Sequence, residues 1–204
     1  MLNFANKRGS SRVFLNTVYF PNAFVVEKEG EIVTEVLADR SSKVVGNFLK
    51  FMEEILSCED SLDVYYIAGP GSFTGIKVAF SLMKAFKKVD NIFWYGLNLL
   101  EVLAHFVEEK EKILSGEKKL KFAVYFSAHQ GDVFAAFKGV DSVYYLCSSK
   151  SYFLDLVDSI GIKSYEFKKG DFPRPSEVLE ILNKVKFFVN RPLYIKSPVI
   201  GKKK

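Results

Sequence analysis

Cysteine is nearly absent from this 204-residue chain. Only Cys58 and Cys147 occur, too few and too far apart to suggest a disulfide framework or a zinc site. Histidine is as scarce: His105 and His129 stand alone, and His105, within an amphipathic helical pattern, reads as a structural residue rather than a ligand. No apolar run approaches the roughly 18 residues of a membrane span. Residues 1–11 (MLNFANKRGSS) lack the apolar stretch of a signal peptide, so the reducing cytoplasm is the expected setting and no membrane contact is expected. There is no Arg-rich helix, aromatic RNA-binding signature or zinc knuckle, which argues against a nucleic-acid reader acting alone. The net charge of +5 is mild, and part of it sits in Lys202, Lys203 and Lys204. That tail reads either as a solvated terminus or as a salt-dependent phosphate contact.

What the chain does have is apolar bulk. Hydrophobic residues make up 49%, including 20 Phe and 10 Tyr, enough for a substantial core. A charged fraction of 26% at this hydrophobicity excludes a disordered chain. Three β-like runs come first, at residues 13–18, 23–28 and 32–38, with Pro21-Asn22 and Glu29-Gly30 as turns. A helix follows from Ser41 or Ser42, either a plausible N-cap, to about residue 57. A strand at 64–68, a Gly-rich turn, a helix at 75–89 and a strand at 92–95 complete the first half. After a connecting helix at 97–114 the order recurs. Strands are expected at 120–126, 133–137 and 142–147, with turns at Gln130-Gly131 and Gly139. A helix at 151–160, a strand at 163–167, a helix from Pro175 to about 185 and a strand at 187–189 follow.

Each half therefore reads β-β-β-α-β-α-β, with the later strands returning in parallel by right-handed crossovers. This layout is that of a ribonuclease-H-like lobe. Its duplication is the architecture of the actin, Hsp70 and sugar-kinase superfamily. The expected division is a first lobe at residues 1–98, with 1–11 flexible, and a second at 99–204 that includes the basic tail.

The sharpest local signal is the turn Gly69-Pro70-Gly71-Ser72-Phe73-Thr74-Gly75, lying between a strand and a helix. Its small residues permit a tight turn, Pro70 stiffens it, and Ser72 or Thr74 can cap the helix. Such a helix start can also hold an anion, but the spacing fits neither a Walker A loop nor the dinucleotide fingerprint. Structural turn and phosphate cradle both stay open on the residues alone.

The string GPGSFTG followed by Ile76-Lys77 closely resembles the signature of the TsaB (YeaZ) family, bacterial proteins needed to make threonylcarbamoyladenosine on tRNA. Three weaker segments extend the likeness. Leu15-Asn16-Thr17 stands where the family has Asp-Thr-Ser. Residues 127–134 (SAHQGDVF) resemble its second-lobe hairpin, and Pro192-Leu193-Tyr194-Ile195 resembles its Pro-Leu-Tyr-Leu segment. The departures are Asn16 for an acid, Val18 for a small residue, and Ser127 and His129 for the acid and base of the hairpin. They mark a divergent member.

The resemblance implies a protein without an active site. Active members of the superfamily carry Asp-x-Gly signatures whose carboxylates serve metal-bound water. Here the first position reads Asn-Thr-Val-Tyr, and Gln130-Gly131-Asp132-Val133 lacks the following Gly. The family's catalytic paralogue, TsaD, binds metal through a His-x-x-x-His pair, which His105 and His129 are too far apart to form. Ser72 lacks the nucleophile-elbow spacing of a hydrolase. No catalytic residue, metal or cofactor is expected, with ATP between the lobes or at a complex interface left open.

The helix at 75–89 has an apolar arc of about 220°, wider than the roughly 100° a single core needs. It is either sandwiched within its own lobe or turned toward a partner. The family's first two helices pack against TsaD, or form homodimers without it. The resemblance thus assigns Phe48, Phe51, Met52 and Ile55 of one helix, with Ile76, Phe80, Met83 and Lys84 of the next, to a partner interface. The expected role is a non-catalytic subunit that activates a TsaD-like enzyme, with a TsaE-like ATPase as a further expected partner, and meets tRNA only through that complex. The rival expectations are a small ATPase or kinase using the turn as a phosphate cradle, a Ser72 peptidase, and a stand-alone homodimer.

Overall fold

The structure, a computed structural model, describes residues 11–55, 61–111, 120–139, 142–185, 188–189 and 191–193. Strands β1 (Ser11–Asn16), β2 (Asn22–Lys28) and β3 (Glu31–Ala38) form an antiparallel meander. Helix α1 (Ser41–Ile55) carries the chain across to β4 (Leu62–Gly69), which lies parallel to β1. Helix α2 (Phe73–Phe86) then crosses to β5 (Ile92–Asn98), parallel to β4. α1 begins at Ser41, so Ser41 and Ser42 both lie inside its first turn and neither is its N-cap.

Helix α3 (Leu99–Lys110), capped by the Asn98 side chain accepting from Leu100 N–H, leads to the second meander. This comprises β6 (Leu120–Ser127), β7 (Asp132–Gly139) and β8 (Val143–Ser149). Helix α4 (Lys150–Ile160) crosses to β9 (Lys163–Phe167), parallel to β6. Helix α5 (Pro175–Ile181) and the two-residue β10 (Phe188–Val189) follow. The sheet orders are β10-β5-β4-β1-β2-β3 and β8-β7-β6-β9. These are two ribonuclease-H-like lobes.

The repeat is imperfect at its last element. β10 pairs antiparallel with β5 of the first sheet. The cause lies in α5, which packs on α3, β1 and β2 and buries Val178, Leu179, Ile181 and Leu182 in the core between the sheets. The chain therefore emerges beside the first sheet.

The layers run α1 with α2, first sheet, α3 with α5, second sheet, α4, and strand alternation supplies three cores. Phe14 of β1 and Tyr65 and Ile67 of β4 face the central core around α3. Their neighbours Val13, Leu15, Val64, Tyr66 and Ala68 face the outer core under α1 and α2. Ala123, Tyr125, Val133, Ala135 and Phe137 meet Phe153 and Val157 of α4.

Phe48 of α1 is fully buried at the centre of the outer core. Its ring meets Phe24 at 6.0 Å, Phe86 at 6.4 Å and Trp94 at 6.1 Å, each edge-on, the geometry aromatic quadrupoles favour. We expect Phe48→Ala to cost about 3–5 kcal/mol in urea denaturation. A change near zero would mean that the ring lies outside the core.

Candidate functional site

The signature turn is a packing hub. The Gly69–Pro70 peptide is cis. Gly69 holds φ +132°, and a Cβ there would overlap the Leu193 carbonyl oxygen, whose own residue donates its N–H to the Ala68 carbonyl at 2.8 Å. A Cβ on Gly71 would strike the Val18 side chain. Gly75, in the first turn of α2, lies so close to the end of β1 that a Cβ would overlap the Thr17 carbonyl oxygen. Thr17 Oγ1 donates to the Gly75 carbonyl at 2.7 Å. The Ser72 hydroxyl accepts from Gly75 N–H at 3.2 Å as the N-cap, while Thr74 is exposed. The glycines are thus fully accounted for by close approach and turn geometry.

Asn16 explains its own departure from the expected acid. Fully buried, it accepts from Val18 N–H at 3.0 Å and Tyr19 N–H at 3.2 Å. Its amide donates to the carbonyls of Tyr19 at 3.0 Å and Pro21 at 2.7 Å. An ionised carboxylate accepts only, so it would leave both carbonyls without a donor.

The loop so held turns Tyr19 inward between the lobes. Its ring stacks on Phe172 at 4.9 Å, and its hydroxyl donates to the Pro173 carbonyl at 3.3 Å. Burial, and secondarily the Glu177 charge, push this phenol far above its usual range. Phe172 in turn meets Phe126 of β6 at 5.7 Å and Phe167 of β9 at 5.9 Å. An aromatic bridge therefore occupies the junction between the ends of β1 and β6. The sequence reading missed Tyr19 and Phe172. The available signal was an aromatic residue stranded in the polar loop Lys168-Lys169-Gly170-Asp171-Phe172-Pro173, where loop composition supplies no reason for one.

Four of the eight residues assigned to a partner interface require correction. Phe48, Met52, Ile76 and Met83 are buried at 0%, 0%, 2% and 7% exposure, Ile76 in the central core and the other three in the outer core. The wide apolar arc of α2 exists because the helix rests on β4 with one flank and meets α1 across the Phe48–Phe86 contact with the other. Phe51 and Phe80 are half-buried and Lys84 is exposed. The Ile55 side chain lies outside the described set. The sequence reading missed Leu49 and Phe73, exposed at 37% and 41%.

His105 is buried in α3, its Nε2 3.6 Å from Glu101 and its Nδ1 3.3 Å from Glu108. Lys138 of β7 lies 3.5 Å from Glu108, and the Tyr145 hydroxyl donates to Glu101 at 2.5 Å. Burial, then the Glu101 hydrogen bond and charge, raise the Tyr145 phenol well above normal. This network joins α3 to the second sheet. Ser72, bonded to its own helix, stands apart from it. The His129 side chain and residues 194–204, with the Lys tail, lie outside the described residues. Among the described residues no group of three or more His, Cys, Asp or Glu can hold a metal ion, and no helix is long and apolar enough to cross a membrane.

The fold and this site define a two-lobed ribonuclease-H-like protein whose lobes are bridged by its own aromatic side chains. Its fold is that of YeaZ. An uncharacterized protein with similarity to peptidase YeaZ from Pseudomonas aeruginosa superposes with a TM-score of 0.63 at 13% identity, covering 92% of this chain and 100% of that one. YeaZ from Pseudomonas aeruginosa superposes with a TM-score of 0.57 at 14% identity, covering 91% and 100%. The sequence matches no protein-family profile and no curated protein.

Two substitutions check the hub. Gly75→Ala is expected to destabilise by at least about 3 kcal/mol, since backbone faces backbone and neither side can yield cheaply; a neutral result in thermal unfolding would refute the close approach. Asn16→Asp is expected to lose roughly 3 kcal/mol at neutral pH. Burial raises the introduced carboxyl's folded pKa above its unfolded value of about 3.9. The folded state then binds more protons, so the loss sets in above about pH 4, grows until pH passes the raised folded value, and fades below about 4. Urea titrations across that range read the sign directly.

Proposed function

We propose that the chain is a divergent TsaB-like subunit that docks onto a TsaD-like catalytic subunit and performs no chemistry itself. The observation that carries this reading is the GPGSFTG turn, built as a close-packed β4–α2 junction within a fold that spans the whole of YeaZ. In the cytoplasm the TsaD-like partner, joined by a TsaE-like ATPase, would transfer a threonylcarbamoyl group from its adenylate to the adenosine beside the anticodon. This chain would hold that partner in its active state and meet tRNA only within the complex. Alone it would form a homodimer through the same face.

The aromatic bridge between the lobes supports a non-catalytic role. A nucleotide there would have to displace Tyr19 and Phe172, and the position of the expected catalytic acid is taken by an asparagine already committed to four hydrogen bonds. With Phe48, Met52, Ile76 and Met83 sealed inside, the docking face narrows to what α1 and α2 leave outside: Leu49, Phe51, Phe73, Phe80 and Lys84.

Mixing the protein with the TsaD homologue of the same cell at micromolar concentration should give one co-eluting peak in size exclusion. Two independent peaks would overturn the reading. The double variant Leu49→Asp with Phe73→Asp should weaken the complex about tenfold or more, as expected for exposed apolar anchors. Its thermal stability should stay near that of the parent.

A further inference from the structure

The outward face of α2 is unusual in its charge. The helix contains no acidic residue, yet Lys77 and Lys84 on it and Lys87 and Lys88 just beyond it are all exposed. None of the four forms an ion pair among the described residues. Lysines elsewhere do: Lys138 with Glu108, Lys150 with Glu166, Lys163 with Glu111. Two of the four are instead held over aromatic rings, Lys77 at 4.1 Å from the Phe73 centroid and Lys84 at 5.0 Å from Phe80. Such contacts fix the position of the ammonium without neutralising its charge. At the end of the row opens a cleft of about 250 Å³ lined by Met83, Lys87, Ile92, Phe93, Trp94 and Tyr95. Its lining is mixed: Met83, Ile92 and Phe93 are apolar, Trp94 and Tyr95 add aromatic rings with polar groups, and Lys87 supplies a cation.

We infer that the α2 lysine row and this cleft form one docking surface for an acidic amphipathic helix of a partner protein, with an apolar side chain anchored in the cleft. Lys77 and Lys84 stand seven residues apart and so share one side of α2 about 10 Å from each other, with Lys87 and Lys88 following in the turn beyond its end. Glutamates repeating along one face of a partner helix match that spacing. A protein segment fits better than RNA. The row has no arginine, hence no planar fork for phosphate, and the cleft takes an aliphatic or aromatic side chain. The inference deepens the docking reading above and rests on it for the partner's identity, though the surface chemistry can be tested without that partner.

The test uses a fluorescein-labelled helical peptide with Glu at every third or fourth position and one Phe, titrated with the full chain and followed by anisotropy. Binding should weaken about tenfold or more on raising NaCl to roughly 0.5 M, as screening of exposed charge requires. It should be lost in the quadruple variant Lys77→Glu, Lys84→Glu, Lys87→Glu, Lys88→Glu, and kept when the same four become Arg. A peptide with Phe→Ala should also bind about tenfold more weakly. Equal affinity for parent and charge-reversed chain overturns the inference, as does tighter binding of a single-stranded oligouridine than of the peptide. The TsaD homologue separates the two claims. A complex unchanged by salt and by charge reversal removes the acidic-partner inference and leaves the subunit reading intact. Peptide binding without a TsaD complex does the reverse.

Discussion

The first turn of α2 comes within van der Waals reach of the end of β1, and most of the molecule is arranged around that approach. Gly75 stands against the Thr17 carbonyl, and Thr17 bonds back to the Gly75 carbonyl. Without this contact α2 would sit farther from the sheet, and Ile76 and Ala79, both buried, would lose their seats against β1 and β4. The outer core would open with them, because Phe86 closes on Phe48 only when α2 lies flat. The same approach consumes the polar groups that an anion would need. Ser72 is turned onto its own helix, and the loop after β1 is packed against the turn through Val18.

A second consequence follows at the junction of the lobes. The loop closed by Asn16 directs Tyr19 onto Phe172, and Phe172 rests on Phe126 and Phe167 of the second sheet. Below it α3 lies between the two sheets, with its apolar side in the central core and its polar side, Glu101, His105 and Glu108, on the second meander. The lobes are therefore joined by aromatic stacking, by a buried polar network and by the apolar central core they share. The second network is the costlier arrangement, since buried charge must be compensated locally, and the Lys138 ammonium is the group that does so for Glu108.

The fold was legible because strong local signals agreed with one another. Turn residues Glu29-Gly30 and Gln130-Gly131, the Pro at the start of α5 and the apolar runs of β1 and β4 all pointed to the elements observed, each within a few residues of its end. The placement of β10 was not legible. A two-residue strand is positioned by the burial of α5 against α3, and nothing within Phe188-Val189 records that. At the site, Ser72 as a cap and the glycines as a tight turn were readable from residue type. The direction of the apolar arc of α2 was not, because a helix covered by a sheet on one side and by α1 on the other shows the same wheel as one awaiting a partner. Leu49 and Phe73 were missed for the converse reason: each continues a periodic apolar pattern, and only the positions of its neighbours leave it outside.

Position 16 links residue type to the closure of the loop after β1. A carboxylate at the end of β1 is useful where a metal-bound water or phosphate occupies the space in front of it. Removing that occupant leaves an acceptor-only group facing two backbone carbonyls, a repulsive arrangement in a dry interior. Asparagine resolves it with the same shape and two added donors. Once the amide binds the carbonyls of Tyr19 and Pro21, the loop is held inward and Tyr19 stacks on Phe172. The asparagine at position 16 therefore stabilises the inward loop and the Tyr19–Phe172 stack that rests on it.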